Sequence, residues 1–199
     1  MSEQTKTKND SSSDADQTKR GAAISREGDE SERLFQSIVS HATVPSEGAA
    51  FGDVRIVVGN EVHYLEIKCC RSSSGGTLNQ VRAMKYIPLV VHLPNQSPNW
   101  MVIPPNKIVE IMADRKRGQH TEIPFESAAL SVKSLGSTFG CEQSDLEKRV
   151  VDAIKEGQSF PTLRQAMVDL KRDIRRLGAH AKMDVKAIVD GSFEKFHGD

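Results

Sequence analysis

The chain has no net charge: 27 Lys and Arg balance 27 Asp and Glu over 199 residues. That balance excludes a globally basic nucleic-acid binder, so any contact with a polyanion must come from local basic patches. No apolar run approaches the ~18 residues a membrane span requires, so no membrane partner is expected. Cysteine is scarce, with only Cys69, Cys70 and Cys141. An odd count that includes an adjacent pair is no disulfide framework. The expectation is a reducing, cytoplasmic setting, with Cys69 packed in a core. The six histidines are scattered, and no Cys/His grouping has zinc spacing. Ser72-Ser73-Ser74 has no identifiable base and orienter around it, and Gly75-Gly76 lacks the pattern of a phosphate-binding loop. No internal repeat is visible.

What is present divides into three parts. Residues 1–28 are Ser, Asp, Lys, Glu, Gln and Thr with almost nothing apolar, which reads as a disordered tail. The tail has no apolar h-region, so a signal peptide is not expected. Residues 29–140 carry a mixed pattern. A helix is expected from Asp29 to Ser40, with Leu34, Phe35, Ile38 and Val39 on its apolar face and Asp29/Glu32 in a capping arrangement. Thr77 is expected to open a second helix, with Gln80 at the capping-box position and Leu78, Val81 and Met84 buried. Strands are expected at Leu89–Leu93, Trp100–Ile103 and near Leu130–Val132, and Asn106 as the cap of a short helix through Met112. Residues 141–199 turn helical and form a C-terminal subdomain for dimerisation or DNA contact. Leu146, Val150 and Ile154 make one stripe there, and Leu163, Met167, Leu170, Ile174 and Leu177 another. A last amphipathic segment holds Val185, Ile188, Val189 and Phe193. The whole reads as an α/β core, helices against a small sheet, followed by helices.

Within the core, one segment carries chemistry. Two β-rich runs, Asp53–Val58 and Glu61–Cys69, are separated only by Gly59-Asn60. That spacing is a two-residue hairpin signal, with Gly supplying φ > 0 at the first turn position. If Val58 and Glu61 flank the turn, Asp53 falls opposite Glu66, with Cβ atoms roughly 4.5–5.5 Å apart on one face. Strand alternation puts Lys68 on the same face and sends Leu65, Ile67 and Cys69 to the other. A surface hairpin with a solvated charged face has the same composition. Two opposed carboxylates repel unless a cation lies between them, however, and with a lysine beside them they can hold a divalent cation, a phosphate and an attacking water. The chemistry this points to is a metal-dependent nuclease.

The order of elements and these residues resemble the PD-(D/E)xK nuclease superfamily, which includes many type II restriction endonucleases and the Holliday-junction resolvases. The resemblance spans roughly Glu32 to Val132, with Gly52 where the family's name has proline. It implies a restriction-endonuclease-like core, a central mixed β-sheet flanked by helices. It implies catalytic Asp53, Glu66 and Lys68, with Mg²⁺ (or Mn²⁺ in its place) on Asp53, Glu66 and the Ile67 carbonyl. Glu32 resembles the acid many members carry on their first helix, and Gln80 a glutamine seen in several branches. Each has another reading as a helix cap. In the phosphodiester hydrolysis so implied, Lys68 would orient or deprotonate the water and stabilise charge developing on phosphate.

The expected activity is a Mg²⁺-dependent hydrolase of restriction-system type, cutting double-stranded DNA at a specific sequence. The alternatives are a structure-specific or repair nuclease on the same fold, and a catalytically silent DNA-binding module. Two-strand cleavage of a palindrome needs two active sites, so a homodimer is expected. For DNA contact the candidates are Arg71, Arg82 and Lys85, the loop residues Arg115, Lys116, Arg117, Gln119 and His120, and Arg172, Arg175 and Arg176. Arg and Gln can read purine edges, whereas Lys mainly meets phosphate. The loop reads equally as solvated, and the Lys171–Arg176 cluster, with Asp169 and Asp173 interspersed, as the wet face of a packing helix.

Overall fold

The computed structural model describes residues 26–46 and 51–177. Helix α1 is described over 26–38. It begins before Asp29, so Arg26, Glu27 and Gly28 belong to the helix rather than to a tail ending at 28, and Asp29 is no N-cap. The rest of the expected tail and the segment from Val185 to Phe193 lie outside the described residues.

Strands β1 (Val54–Val58) and β2 (Glu61–Cys69) form the hairpin in the expected register, from Val58↔Glu61 at the turn to Val54↔Leu65. Gly59 takes φ +62, the conformation the turn demands of its first residue. Strands β4 (Leu89–His92) and β5 (Trp100–Ile103) follow as expected. With the short β7 (Gly140–Cys141) they complete a five-stranded sheet in the order β1-β2-β4-β5-β7. The sheet is mixed, because β2 pairs parallel to β4 while its other pairs are antiparallel.

A parallel pair needs a crossover. The apolar spacing predicts a helix opening at Thr77 for that role. Instead Thr77–Val81 is a strand, β3, paired with β6 (Ala128–Ser131) in a second, two-stranded sheet. The reason is a bulge. Leu78 faces Leu130 and Val81 faces Ala128, so β3 uses one residue more than its partner, and Gln80 sits at φ +54. One extra residue stretches the apolar spacing from two to three, which in sequence imitates a helix. A single turn of 3₁₀ helix, Ala83–Lys85, follows before the chain enters β4.

Helix α2 (Pro105–Ala113) starts with proline at its first position, where a missing N–H is harmless. Its N-cap is Pro104. Asn106, expected as the cap, is instead fully buried and donates from Nδ2 to Glu156 Oε1 at 2.8 Å. Val132 opens α3 (Val132–Phe139) rather than ending a strand. Helices α4 (Leu146–Gln158) and α5 (Pro161–Leu177) follow.

The central sheet separates two cores. On one face, Phe35 of α1, Val39 just after it, and Leu146, Val150 and Ile154 of α4 pack on Val54, Ile56, Leu65, Ile67, Val90 and Trp100. On the other, β3, β6, α2 and α5 cover Leu89, Val91, Met101 and Ile103, with Leu163, Met167 and Leu170 supplied by α5. The alternation Leu89/Val90/Val91 between the cores is the period-two signature of a strand buried on both sides. The helices after 141 are thus integral to the two cores. The cysteines are free, and Cys70, not Cys69, is the one of the pair that is buried. Among the described residues, no helix is long and apolar enough to cross a membrane.

Candidate active site

The open end of the hairpin is shaped by Gly52. A Cβ at this position would lie 2.8 Å from the Leu65 carbonyl oxygen and 3.0 Å from the Tyr64 Cβ. Proline would meet the same atoms, which explains physically why glycine stands here. The close approach lets the Asp53 N–H donate to the Leu65 carbonyl at 2.8 Å. The ladder ends at Val54↔Leu65, so Asp53 lies one residue beyond its last rung instead of facing Glu66 within it. Its side chain continues what the strand leaves off: Asp53 Oδ2 accepts the Ile67 N–H at 2.8 Å. The N–H and C=O of a strand residue point to the same edge, so the Ile67 carbonyl is directed to the Asp53 side as well.

Glu66 lies on the face opposite Leu65 and Ile67 and is only 8% exposed. Its burial is made tolerable by two ammonium groups. Lys68 Nζ lies 3.2 Å from Oε1, and Lys85 Nζ lies 2.8 Å from Oε2. Lys85 comes from the 3₁₀ turn after β3. The sequence pattern places it only among DNA contacts, because a helix at 77–85 gives no ground for bringing it to Glu66. The bulged strand does.

The electrostatics follow from this crowding. Burial works to raise the Glu66 carboxyl, and the Lys68 and Lys85 ammoniums outweigh it, so Glu66 is held below the usual carboxylate range. Asp53 is pushed up by burial, against the Ile67 amide that favours its charged form, with Glu66 adding repulsion and the two lysines relieving it. Glu32, on α1, is pushed up to about 7 by burial and by the negative charges of Asp53 and Asp29. The Asp53 charge is therefore felt by Glu32, and that of Glu66 by Asp53, at this end of the sheet, and two lysines attend Glu66.

Carboxylate oxygens are the ligands a hard divalent cation prefers. Among the described residues, no group of three or more His, Cys, Asp or Glu side chains is arranged to hold a metal. A cation here would rest on Asp53 and Glu66, with the Ile67 carbonyl along the same edge. Comparison of the chain with family models, with curated proteins and with solved structures returns no match in any of the three.

The other candidates scatter. Gln80 is at the bulge, exposed, on a strand and not a helix. Its backbone N–H donates to Gln119 Oε1 at 2.9 Å, and Gln119 Nε2 donates to Asn79 Oδ1 at 3.2 Å. The Gln119 amide thus clamps its loop to β3. Arg115, Lys116, Arg117 and His120 in that loop are on the surface, as is Arg82. Arg71 is held by α1, with Glu27 at 3.3 Å and Glu30 at 2.9 Å. Arg172, Arg175 and Arg176 share a groove with Lys85.

Proposed function

We propose that this chain is a Mg²⁺-dependent endonuclease of restriction type that hydrolyses phosphodiester bonds of double-stranded DNA at a specific sequence, working as a homodimer. The observation that carries the reading is the convergence of Asp53, Glu66 and Lys68 at the open end of the hairpin, with Glu66 shared between Lys68 and Lys85. A binding module has no need of a buried carboxylate held by two lysines beside a second, destabilised one. The mixed sheet with helices on both faces is compatible with a restriction-endonuclease-like core.

The residues divide the work as follows. Asp53 and Glu66 would hold Mg²⁺, or Mn²⁺ in its place, together with the Ile67 carbonyl. When bound, the metal supplies Lewis-acid polarisation of the phosphate and acidifies water. The Ile67 amide fixes the Asp53 carboxylate through Oδ2, which holds it at the open end of the hairpin. Lys68, less buried than Glu66, presents its ammonium to orient the attacking water and to neutralise charge that grows on the phosphate oxygens. Glu66 steers both ammoniums, and Lys85 adds a second positive charge beside the same carboxylate, available to an anionic phosphate.

The test is incubation with a long defined duplex and with a four-way junction, each with Mg²⁺ and with EDTA. Discrete fragments of the duplex that require Mg²⁺ are the expected outcome. Cutting of the junction alone would replace the restriction reading by a structure-specific nuclease. No Mg²⁺-dependent cutting of either substrate would overturn the nuclease reading.

A further inference from the structure

We infer that the groove between the 3₁₀ turn at Lys85 and the C-terminal half of α5 is a track for the phosphate backbone of duplex DNA, leading strands into the site. The inference rests on the nuclease reading and adds the direction from which the substrate arrives. The chain as a whole is neutral, yet this open groove of about 570 Å³ gathers Lys85, Lys171, Arg172, Arg175 and Arg176, with Met84 and Val168 between them and no carboxylate in its lining. Asp169 and Asp173 are the acids nearest on the helix. Both engage Arg172, at 3.0 and 3.7 Å, and among the described residues no carboxylate is paired with Lys171, Arg175 or Arg176.

The wet face of a packing helix would stand convex to solvent. Here α5 turns Leu163, Met167 and Leu170 into the core, and its cations line a concavity with a lysine from another element. Like charges gathered in this way repel, which favours an anion between them. Lys171 and Arg175, and Arg172 and Arg176, are each four residues apart, or ~6 Å along the helix axis. A DNA strand offers a phosphate every ~3.4 Å of helix axis, so cations ~6 Å apart span about two phosphate steps and can meet several phosphates of one backbone, where a single small anion would use only one or two cations. Lys85 belongs to both regions: it lines the groove, and its Nζ is 2.8 Å from Glu66 Oε2. The track therefore ends at the carboxylate that would hold the metal.

Binding of a fluorescein-labelled DNA duplex, followed by anisotropy over a salt series with Ca²⁺ in place of Mg²⁺, tests the track. The variant Lys171→Ala/Arg175→Ala/Arg176→Ala should bind about 10-fold or more weakly. It should also flatten the slope of log K against log salt by roughly 2–3, at ~0.9 for each phosphate no longer neutralised. The charge-preserving Arg175→Lys/Arg176→Lys should keep the slope. Circular dichroism melting checks that the variants fold, and single Arg175→Glu and Arg176→Glu changes at exposed positions serve if the triple variant does not. Unchanged affinity and slope in the charge-removing variants would overturn the track even if the protein cleaves DNA. A wild-type protein that binds with the expected slope but never cuts would overturn the nuclease reading and leave the track standing. Tighter binding of an RNA duplex of equal length would overturn the choice of DNA.

Discussion

Leu65 and Glu66 are neighbours in the chain and belong to opposite halves of the molecule. Leu65 is fully buried among Phe35, Val54 and Trp100, on a face packed by apolar residues of α1 and α4. Glu66, nearly as buried, points the other way, into a layer that answers it with Lys68 and Lys85. The first face obtains its stability from area and shape. The second holds a charge that burial opposes, and it holds it by ion pairing of the kind that weakly stabilises folds and strongly specifies geometry. One strand thus separates folding from chemistry by a single residue.

If that separation is real, mutations on the two faces should fail in different assays. The largest effect is expected at Lys68. Lys68→Ala should lower the cleavage rate by about 10³-fold or more, the scale of a lost proton-transfer or charge-stabilising group. Its thermal melting should hardly move, because Lys85 still pairs with Glu66. Retained cleavage would remove Lys68 from the mechanism. On the other face, Leu65→Ala should cost ~2–5 kcal/mol of unfolding free energy, measured in urea, as buried leucine truncations do. A loss under ~1 kcal/mol there would mean the α1/α4 face is not the seat of stability.

Gly52→Ala should come next, at ~1–3 kcal/mol, since its Cβ presses on backbone that cannot yield. It should also loosen Asp53, so Mg²⁺ affinity by calorimetry should fall together with stability. An unaltered affinity would show that the close approach at Gly52 does not position the carboxylate.

The smallest effect concerns pH. The folded-state pKa of Glu32 is raised to about 7 from an ordinary 4.5, so the folded protein binds this proton more tightly than the unfolded chain. The metal-free protein should therefore lose stability as pH rises from about 4.5 to 7 and carry the full penalty above. Partial exposure of the group limits this to roughly 1 kcal/mol. Glu32→Gln should flatten the slope in that window and leave the protein more stable at mildly alkaline pH. A variant whose pH profile matches the wild type would separate Glu32 from the Asp53 cluster. Glu66 acts in the opposite sense, its depressed pKa stabilising the fold above 4.5 and failing only in acid.

Much of this is legible from residues because the hairpin is local. Gly59-Asn60 sets the turn, the turn sets the register, and the register brings Asp53 and Glu66 to the same end of two strands. The apolar stripes of α4 and α5 are equally plain, since each repeats at helical spacing over several turns. What escapes a local reading is decided by distant partners. The bulge in β3 exists because β6, some fifty residues later, pairs with it, and that pairing delivers Lys85 to the site. The early start of α1 escapes because Arg26 and Glu27 are polar and no apolar period announces them. Its inward polar residue Ser31 meets His92 at 3.0 Å, an encounter no local pattern encodes.

One residue joins the two regions that matter. Tyr86, adjacent to Lys85, adopts a left-handed backbone at φ +50 and sends its phenol to the carbonyls of Gly157, at 3.2 Å, and Phe160, at 3.4 Å. Those carbonyls sit where α4 ends and α5 begins. Tyr86 is therefore a rivet at the elbow of the two helices, and the lysine beside it is fastened to their junction. The place of the ammonium on Glu66 is thereby tied, one backbone step away, to the point where α4 hands over to α5.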